Sequence, residues 1–174
     1  YVEVVRAQLA KAGISSAVFA EVEPNPSLDT VARGAKAMQA YCPDWIIGLG
    51  GGSCMDASQA MWILYENPDQ GLELLSPWST VGLRQKANLI TIPTTAGSGA
   101  ESSYAMVLTD TKEERKLTLA VREVTPDLAI VDPQFTAHLP QQITADTGID
   151  VLSHAIEAYS CTWANDFTDG LCLQ

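Results

Sequence analysis

Apolar positions recur along this chain with two different spacings, and the changes of spacing mark out its elements. Val2, Val5 and Leu9 share one face of a 3.6-residue repeat that stops at Gly13, which predicts a helix over residues 1–12. Residues 16–22 read as a short strand. Pro24-Asn25-Pro26-Ser27 is a turn, with Ser27 placed to cap a helix over residues 28–40. The run Trp45-Ile46-Ile47-Gly48-Leu49-Gly50 lies between Pro43 and further glycines, which suits a buried parallel strand, and a helix follows over residues 53–65. Residues 67–86 read as loop, with Leu72, Leu74 and Leu75 pinned to the core. Further strands are expected at residues 88–93, 105–108, 117–121 and 128–131. The charged run Lys112-Glu113-Glu114-Arg115 is a solvated connection between the middle two.

Strands alternating with helices argue for an α/β unit over residues 1–138. From Pro140 the pattern is purely helical, so an all-α unit is expected over residues 139–174. An apolar share of 47% is ample for a packed core. The net charge of −11 disfavours nonspecific binding to nucleic acid or to an anionic membrane. No run of about 20 apolar residues exists to span a bilayer, and no signal-peptide pattern is present. Cys42, Cys54, Cys161 and Cys172 show no CxxC spacing, which points to reduced thiols in a cytoplasmic protein. Tyr1 falls inside the first amphipathic pattern and Leu171-Cys172-Leu173-Gln174 ends without a cap. The expectation is therefore a piece of a longer protein, lacking its first strand and most of its helical unit.

Three segments carry candidate chemistry. Gly50-Gly51-Gly52-Ser53 joins an apolar strand to a helix, where backbone N–H groups and the helix dipole can hold a phosphate. The spacing departs from GxGxxG, because Ser53 stands where the third glycine would be. Thr94-Thr95-Ala96-Gly97-Ser98-Gly99 is a second small-residue loop directly after a strand, rich in hydroxyl and amide donors. Two such loops at one end of a sheet would frame a single anion-binding crevice. The third segment, residues 147–159, reads as a helix apolar almost all round, with Asp150 and His154 one turn apart on one face. A carboxylate and an imidazole buried together on one helical stripe need a partner. A divalent metal is one, and an intrahelical Asp–His hydrogen bond is another.

Taken in order, these segments resemble the iron-containing (group III) alcohol dehydrogenase family. The matching pieces are Pro24-Asn25-Pro26, Gly50 to Ala57, Pro93 to Glu101, Asp132-Pro133, and Thr147 to Glu157. Ala60-Met61-Trp62 and Tyr65-Glu66 are similar to the branch that includes the alcohol dehydrogenase half of bifunctional aldehyde–alcohol dehydrogenases. The resemblance implies a Rossmann-like dinucleotide-binding domain with a mostly parallel sheet, followed by a helical metal-binding domain, in a dehydroquinate synthase-like architecture. It implies that Asp150 and His154 are the first two metal ligands, with two further histidines beyond Gln174. It implies that Gly51, Gly52 and Ser53 hold the cofactor diphosphate, and that Asp56 orders that loop or approaches the cofactor. Thr94, Thr95 and Ser98 would line the adenosine and ribose side, Lys116 would reach the ribose, and Phe135 would form an apolar cofactor wall. His138 matches no ligand position and reads as a surface residue. One departure is Gln59, where the family pattern G-G-G-S-x-x-D-x-x-K ends in lysine, leaving a cation out of that motif.

The implied activity is reversible hydride transfer between a small primary alcohol and NAD or NADP, with Fe²⁺ or Zn²⁺ as Lewis acid, in a cytoplasmic homo-oligomer. The residues alone choose neither the dinucleotide nor the metal. Two alternatives stay open: a glycerol dehydrogenase or dehydroquinate synthase-like enzyme, and a non-catalytic nucleotide-binding fragment.

Overall fold

The structure is a computed structural model and describes residues 1–174. Helix α1 (Val2–Lys11) leads by an unpaired segment to α2 (Leu28–Tyr41). Strand β1 (Trp45–Gly50), helix α3 (Gly52–Glu66) and strand β2 (Asn88–Pro93) then form a core with the hairpin β3 (Ala105–Asp110) and β4 (Arg115–Ala120). Strand β5 (Leu128–Ala129) precedes the helices α4 (Gln141–Ser160) and α5 (Asp166–Cys172).

The main sheet is parallel, in the order β1-β2-β5, with Trp45 beside Asn88 and Gly50 beside Pro93. Parallel strands need a crossover, and α3 supplies it. Met55, Ala57, Ala60, Met61, Trp62, Ile63 and Tyr65 of α3 are all buried, because this helix has the sheet, the hairpin and α2 packed around it. Val31 and Ala35 of α2, Ile46, Leu89, Met106, Leu108, Leu117 and Leu119 complete the core. Trp62 is its largest fully buried side chain, and its Nε1–H donates to Glu66 Oε1 at 2.9 Å. Helix α2 starts where the turn chemistry predicts: Ser27 Oγ accepts from Thr30 N, and the Glu23 carboxylate accepts from Ser27 N and Thr30 Oγ1. Burial opposes ionisation of Glu23, yet those donors outweigh it and lower its carboxyl to about 2.

The hairpin is a separate antiparallel ribbon that turns Met106, Leu108, Leu117 and Leu119 inward. Its open edge is closed by local acceptors: Ala105 N donates to Ser103 Oγ, Val107 N to Asp56 Oδ2 and Thr109 N to Pro26 O. The loop between α3 and β2 is organised by two carboxylates. Glu66 accepts from Trp62 Nε1, Arg84 N, Gln85 N and Ala87 N, and Glu123 accepts from three successive amides, Val81, Gly82 and Leu83. Arg84 stacks over Trp62 and pairs with Asp127 at 2.6 Å.

Four expectations change. Residues 16–22 form no ladder, because no strand lies alongside them and strand pairing is what holds an extended segment. Leu74 is 78% exposed, since the short 3₁₀ turn at Leu72–Leu74 aims only Leu72 into the core. Strand β5 is two residues long, and Ile130 and Val131 lie outside it and exposed. Helix α4 has no buried residue; its main neighbour is α5, so its apolar positions Ile149, Leu152 and Ile156 stay open to solvent. No helix is long and apolar enough to cross a membrane.

Candidate functional site

The two small-residue loops meet at the carboxyl ends of β1 and β2. Thr94 N donates to Gly50 O at 2.9 Å, so the second loop begins directly beside the first. A Cβ placed on Gly51 would lie 3.5 Å from Thr95 Oγ1, and one on Gly52 would lie 3.3 Å from Ser98 Oγ. Gly50 has φ +151 and backs onto Cys54, where a Cβ would meet Sγ at 2.5 Å, so only glycine turns the chain here. Burial pushes the Cys54 thiol up, which keeps it protonated and unreactive. Helix α3 then starts at Gly52 with no side-chain cap. The amide N–H groups of Gly51, Gly52 and Ser53 have no protein acceptor, and they sit at the positive end of a fifteen-residue helix. That is an anion-binding end by construction.

A third strand of contacts reaches the same loop, and the sequence pattern did not show it. Asn25 N donates to Ser53 Oγ at 3.3 Å, and Thr109 Oγ1 donates to Asn25 O at 3.0 Å. Lys116 stands opposite Thr109 in the hairpin register, exposed and without an ion-pair partner. Lys116 is thus the register neighbour of the residue that Asn25 links to Ser53. Asp56, one turn into α3, accepts from Val107 N at 2.8 Å and holds the hairpin down. Burial raises its carboxyl to about 6, the hydrogen bond from Val107 only partly offsetting this. The one signal for these contacts was Pro24-Asn25-Pro26, whose Asn25 takes φ +56 and whose Pro26 carbonyl caps Thr109.

The remaining expected residues divide. Thr94 and Thr95 are half-buried and Ser98 is exposed, all on the loop facing Gly51 and Gly52. Between Thr95, Glu101, Asp132 and Thr136 lies a crevice of about 170 Å³. A wider hollow of about 400 Å³ runs along α1 beside Ile14, and it shares no residue with either loop. Phe135 does not reach the loop surface. It is 4% exposed and packs edge-on against the Tyr1 ring, centroids 5.1 Å apart, so it serves as core rather than as an open wall. Gln59 is fully buried beneath the hairpin, its Nε2 donating to Ser103 O and Val124 O. A side chain at this position therefore braces the β3 approach and does not face the diphosphate loop. His138 is exposed, as expected.

Asp150 and His154 project from one face of α4, with Oδ1 and Nε2 3.8 Å apart and each side chain about half exposed. The sequence suggested burial; the open sides of α4 leave them in solvent instead. No group of three or more His, Cys, Asp or Glu gathers in the chain. The pair still fits a divalent ion as half of a tetrahedral donor set. One carboxylate oxygen and one imidazole nitrogen on successive turns lie within a few tenths of an ångström of the separation two ligands at about 2.1 Å require. Thr147, one turn before Asp150 on the same stripe, is where α4 touches the second loop: a Cβ on Gly97 would meet Thr147 Cβ and O at 2.8 Å. The stripe that carries the two donors therefore meets the second loop at its first turn, through Thr147.

Comparison with known proteins places the chain in a family. Residues 1–133 match the profile of the iron-containing alcohol dehydrogenases, and residues 144–174 match that of the Fe-containing alcohol dehydrogenase family, C-terminal. The chain is 44% identical over 175 aligned residues to the NADPH-dependent butanol dehydrogenase of Clostridium saccharobutylicum, covering 100% of this chain and 45% of that protein. It is 45% identical over 168 residues to aldehyde-alcohol dehydrogenase 2 of Entamoeba histolytica, covering 90% of this chain and 19% of that one. The solved sulfoacetaldehyde reductase of Bifidobacterium kashiwanohense, in complex with NAD⁺, superposes with a TM-score of 0.86 at 32% identity, over 98% of this chain and 45% of that one. The chain thus spans less than half the length of these relatives. With both profiles matched in order along an α/β unit and the helices after it, the chain belongs to the iron-containing alcohol dehydrogenase family.

Proposed function

We propose that the chain supplies the nucleotide-binding domain and half of the metal site of an NAD(P)-dependent alcohol dehydrogenase acting on small primary alcohols. The observation that carries this reading is the seating of the Asp150–His154 face of α4 on the loop that abuts Gly51 and Gly52. That contact, made by Thr147 one turn before Asp150, supports reading the cation-holding pair and the anion-holding turn as parts of one site.

In this reading residues 1–138 are the dinucleotide-binding domain and residues 139–174 begin the metal-binding one. The unpaired amides of Gly51, Gly52 and Ser53 hold the diphosphate at the start of α3. Lys116 adds a cation from the hairpin, and Thr94, Thr95 and Ser98 offer hydroxyls to the adenosine and ribose side. Asp56 fixes the hairpin, hence Lys116, relative to the turn. Phe135 is left out of this set, because its ring is covered by Tyr1. Asp150 and His154 hold Fe²⁺ or Zn²⁺. When bound, the ion supplies Lewis acidity toward the substrate oxygen, and the dinucleotide supplies or takes the hydride. The exclusion of bulk from both loops lets the nucleotide approach that face closely. The four cysteines, scattered along the chain without CxxC spacing, support reduced thiols and a cytoplasmic enzyme.

The names of the relatives support a short-chain substrate: one is an NADPH-dependent butanol dehydrogenase and another an aldehyde–alcohol dehydrogenase. The test is a substrate profile of the full-length protein with NADH and NADPH. Reduction of acetaldehyde, propanal and butanal at least tenfold faster than dihydroxyacetone is expected. Preference for dihydroxyacetone and glycerol would point to a polyol dehydrogenase, and tight nucleotide binding without turnover would point to a non-catalytic module.

A further inference from the structure

Gly97 is the point of closest approach between the α/β unit and α4. A Cβ there would stand 2.8 Å from Thr147 Cβ, 2.8 Å from Thr147 O and 3.1 Å from its Cα. Gly97 does not have a positive φ, so its backbone would accept any residue; what excludes a side chain is space alone. Two of the three atoms in the way are helix backbone, which cannot swing aside as the end of a flexible side chain can. Relief to an ordinary carbon contact of about 3.5–4.0 Å would move α4 by roughly 0.7–1.2 Å.

Thr147 lies on the stripe that carries Asp150 and His154, about 4.5 Å and 10.5 Å further along the axis. Helix α4 packs mainly on α5, so a push at Thr147 is carried to the two donors on the same helix. On its other side Gly97 belongs to the loop in which Thr95 and Ser98 meet Gly51 and Gly52.

We propose that Gly97 is a positioning residue: its missing side chain sets the distance between the nucleotide-binding turn and the Asp150–His154 pair. This rests on the proposed function, because it gives that distance a purpose. A shift of about 1 Å in the placing of reacting groups can lower a rate about 100-fold while leaving binding nearly intact. Gly97→Ala therefore acts on turnover and on the metal pair, and the nucleotide turn itself keeps its amides.

The experiment compares wild type and Gly97→Ala in the full-length protein by three readings. Steady-state kinetics should show kcat falling at least tenfold, with KM for NAD(P)H changing less than about threefold. The visible absorption of the Co²⁺-substituted protein should change shape, because the donor pair has moved. Hydrogen exchange should quicken in residues 141–160 and stay unchanged in residues 52–66. Wild-type kcat in the variant, or an unaltered Co²⁺ spectrum, overturns the proposal even where exchange in α4 has changed. If the wild type takes up no Co²⁺ at all, the metal reading of the site fails. In that case unchanged exchange over residues 141–160 overturns the seat as well, and faster exchange upholds the seat alone.

Discussion

Asp56 shows how one side chain can serve position at the expense of stability. Its carboxylate caps Val107 N on the hairpin edge, but burial raises its acid to about 6 from an ordinary 3.8. A carboxyl raised on folding contributes fully below its unfolded value and loses that contribution as pH climbs through the folded one. Ionised Asp56 should thus lower stability by up to about 3 kcal/mol at neutral pH. Asp56→Asn keeps an acceptor for Val107 and removes the buried charge. In urea denaturation its advantage over wild type should grow from pH 5 to pH 7.5 by about 1–1.5 kcal/mol. A difference independent of pH would show that the carboxylate is solvated. The type of this residue could be read from the sequence, within the glycine motif. Its partner could not, because Val107 is 51 positions away and contributes only a backbone amide.

At the scale of elements, apolar spacing located β1, β2, α2 and α3 to within a residue or two, since each buries a regular face. It failed where burial did not decide the outcome. Residues 16–22 alternate like a strand yet have no neighbour to pair with. The loop from Asn67 to Ala87 looked shapeless, because its order comes from carboxylates outside it. Burial opposes ionisation of Glu66 and Glu123, but backbone donors to each outweigh it and hold both carboxyls below their usual range. Groups lowered on folding stabilise above their unfolded values, near pH 4.5, and lose that contribution as pH falls through the folded ones. The loop should therefore open on acidification below about pH 4.5, earlier than the α3 core, and hydrogen exchange at residues 81–87 would show it. Glu123→Gln should bring this opening to neutral pH, because an amide oxygen accepts three amides more weakly than a carboxylate. Protection of Val81, Gly82 and Leu83 unchanged in that variant would count against the carboxylate as the organiser.

For the molecule as a whole, the α/β class and the helical end were legible, and so were the two loops and the Asp150–His154 spacing. What sequence alone could not supply was their meeting. The contact of Gly97 with Thr147, and the chain from Thr109 through Asn25 to Ser53, join segments 28 to 84 positions apart through small side chains and backbone. In the proposed function these contacts join the separate motifs into one site. The central claim is that Asp150 and His154 hold a catalytic divalent ion beside that site. It is tested most directly by metal analysis and NAD(P)H-dependent butanal reduction in the full-length protein, comparing wild type with Asp150→Ala and His154→Ala. The account predicts a bound divalent metal in the wild type, its loss in both variants, and a fall in kcat of at least 1,000-fold (about 4 kcal/mol) with NAD(P)H affinity retained. Full turnover in either metal-free variant would contradict it.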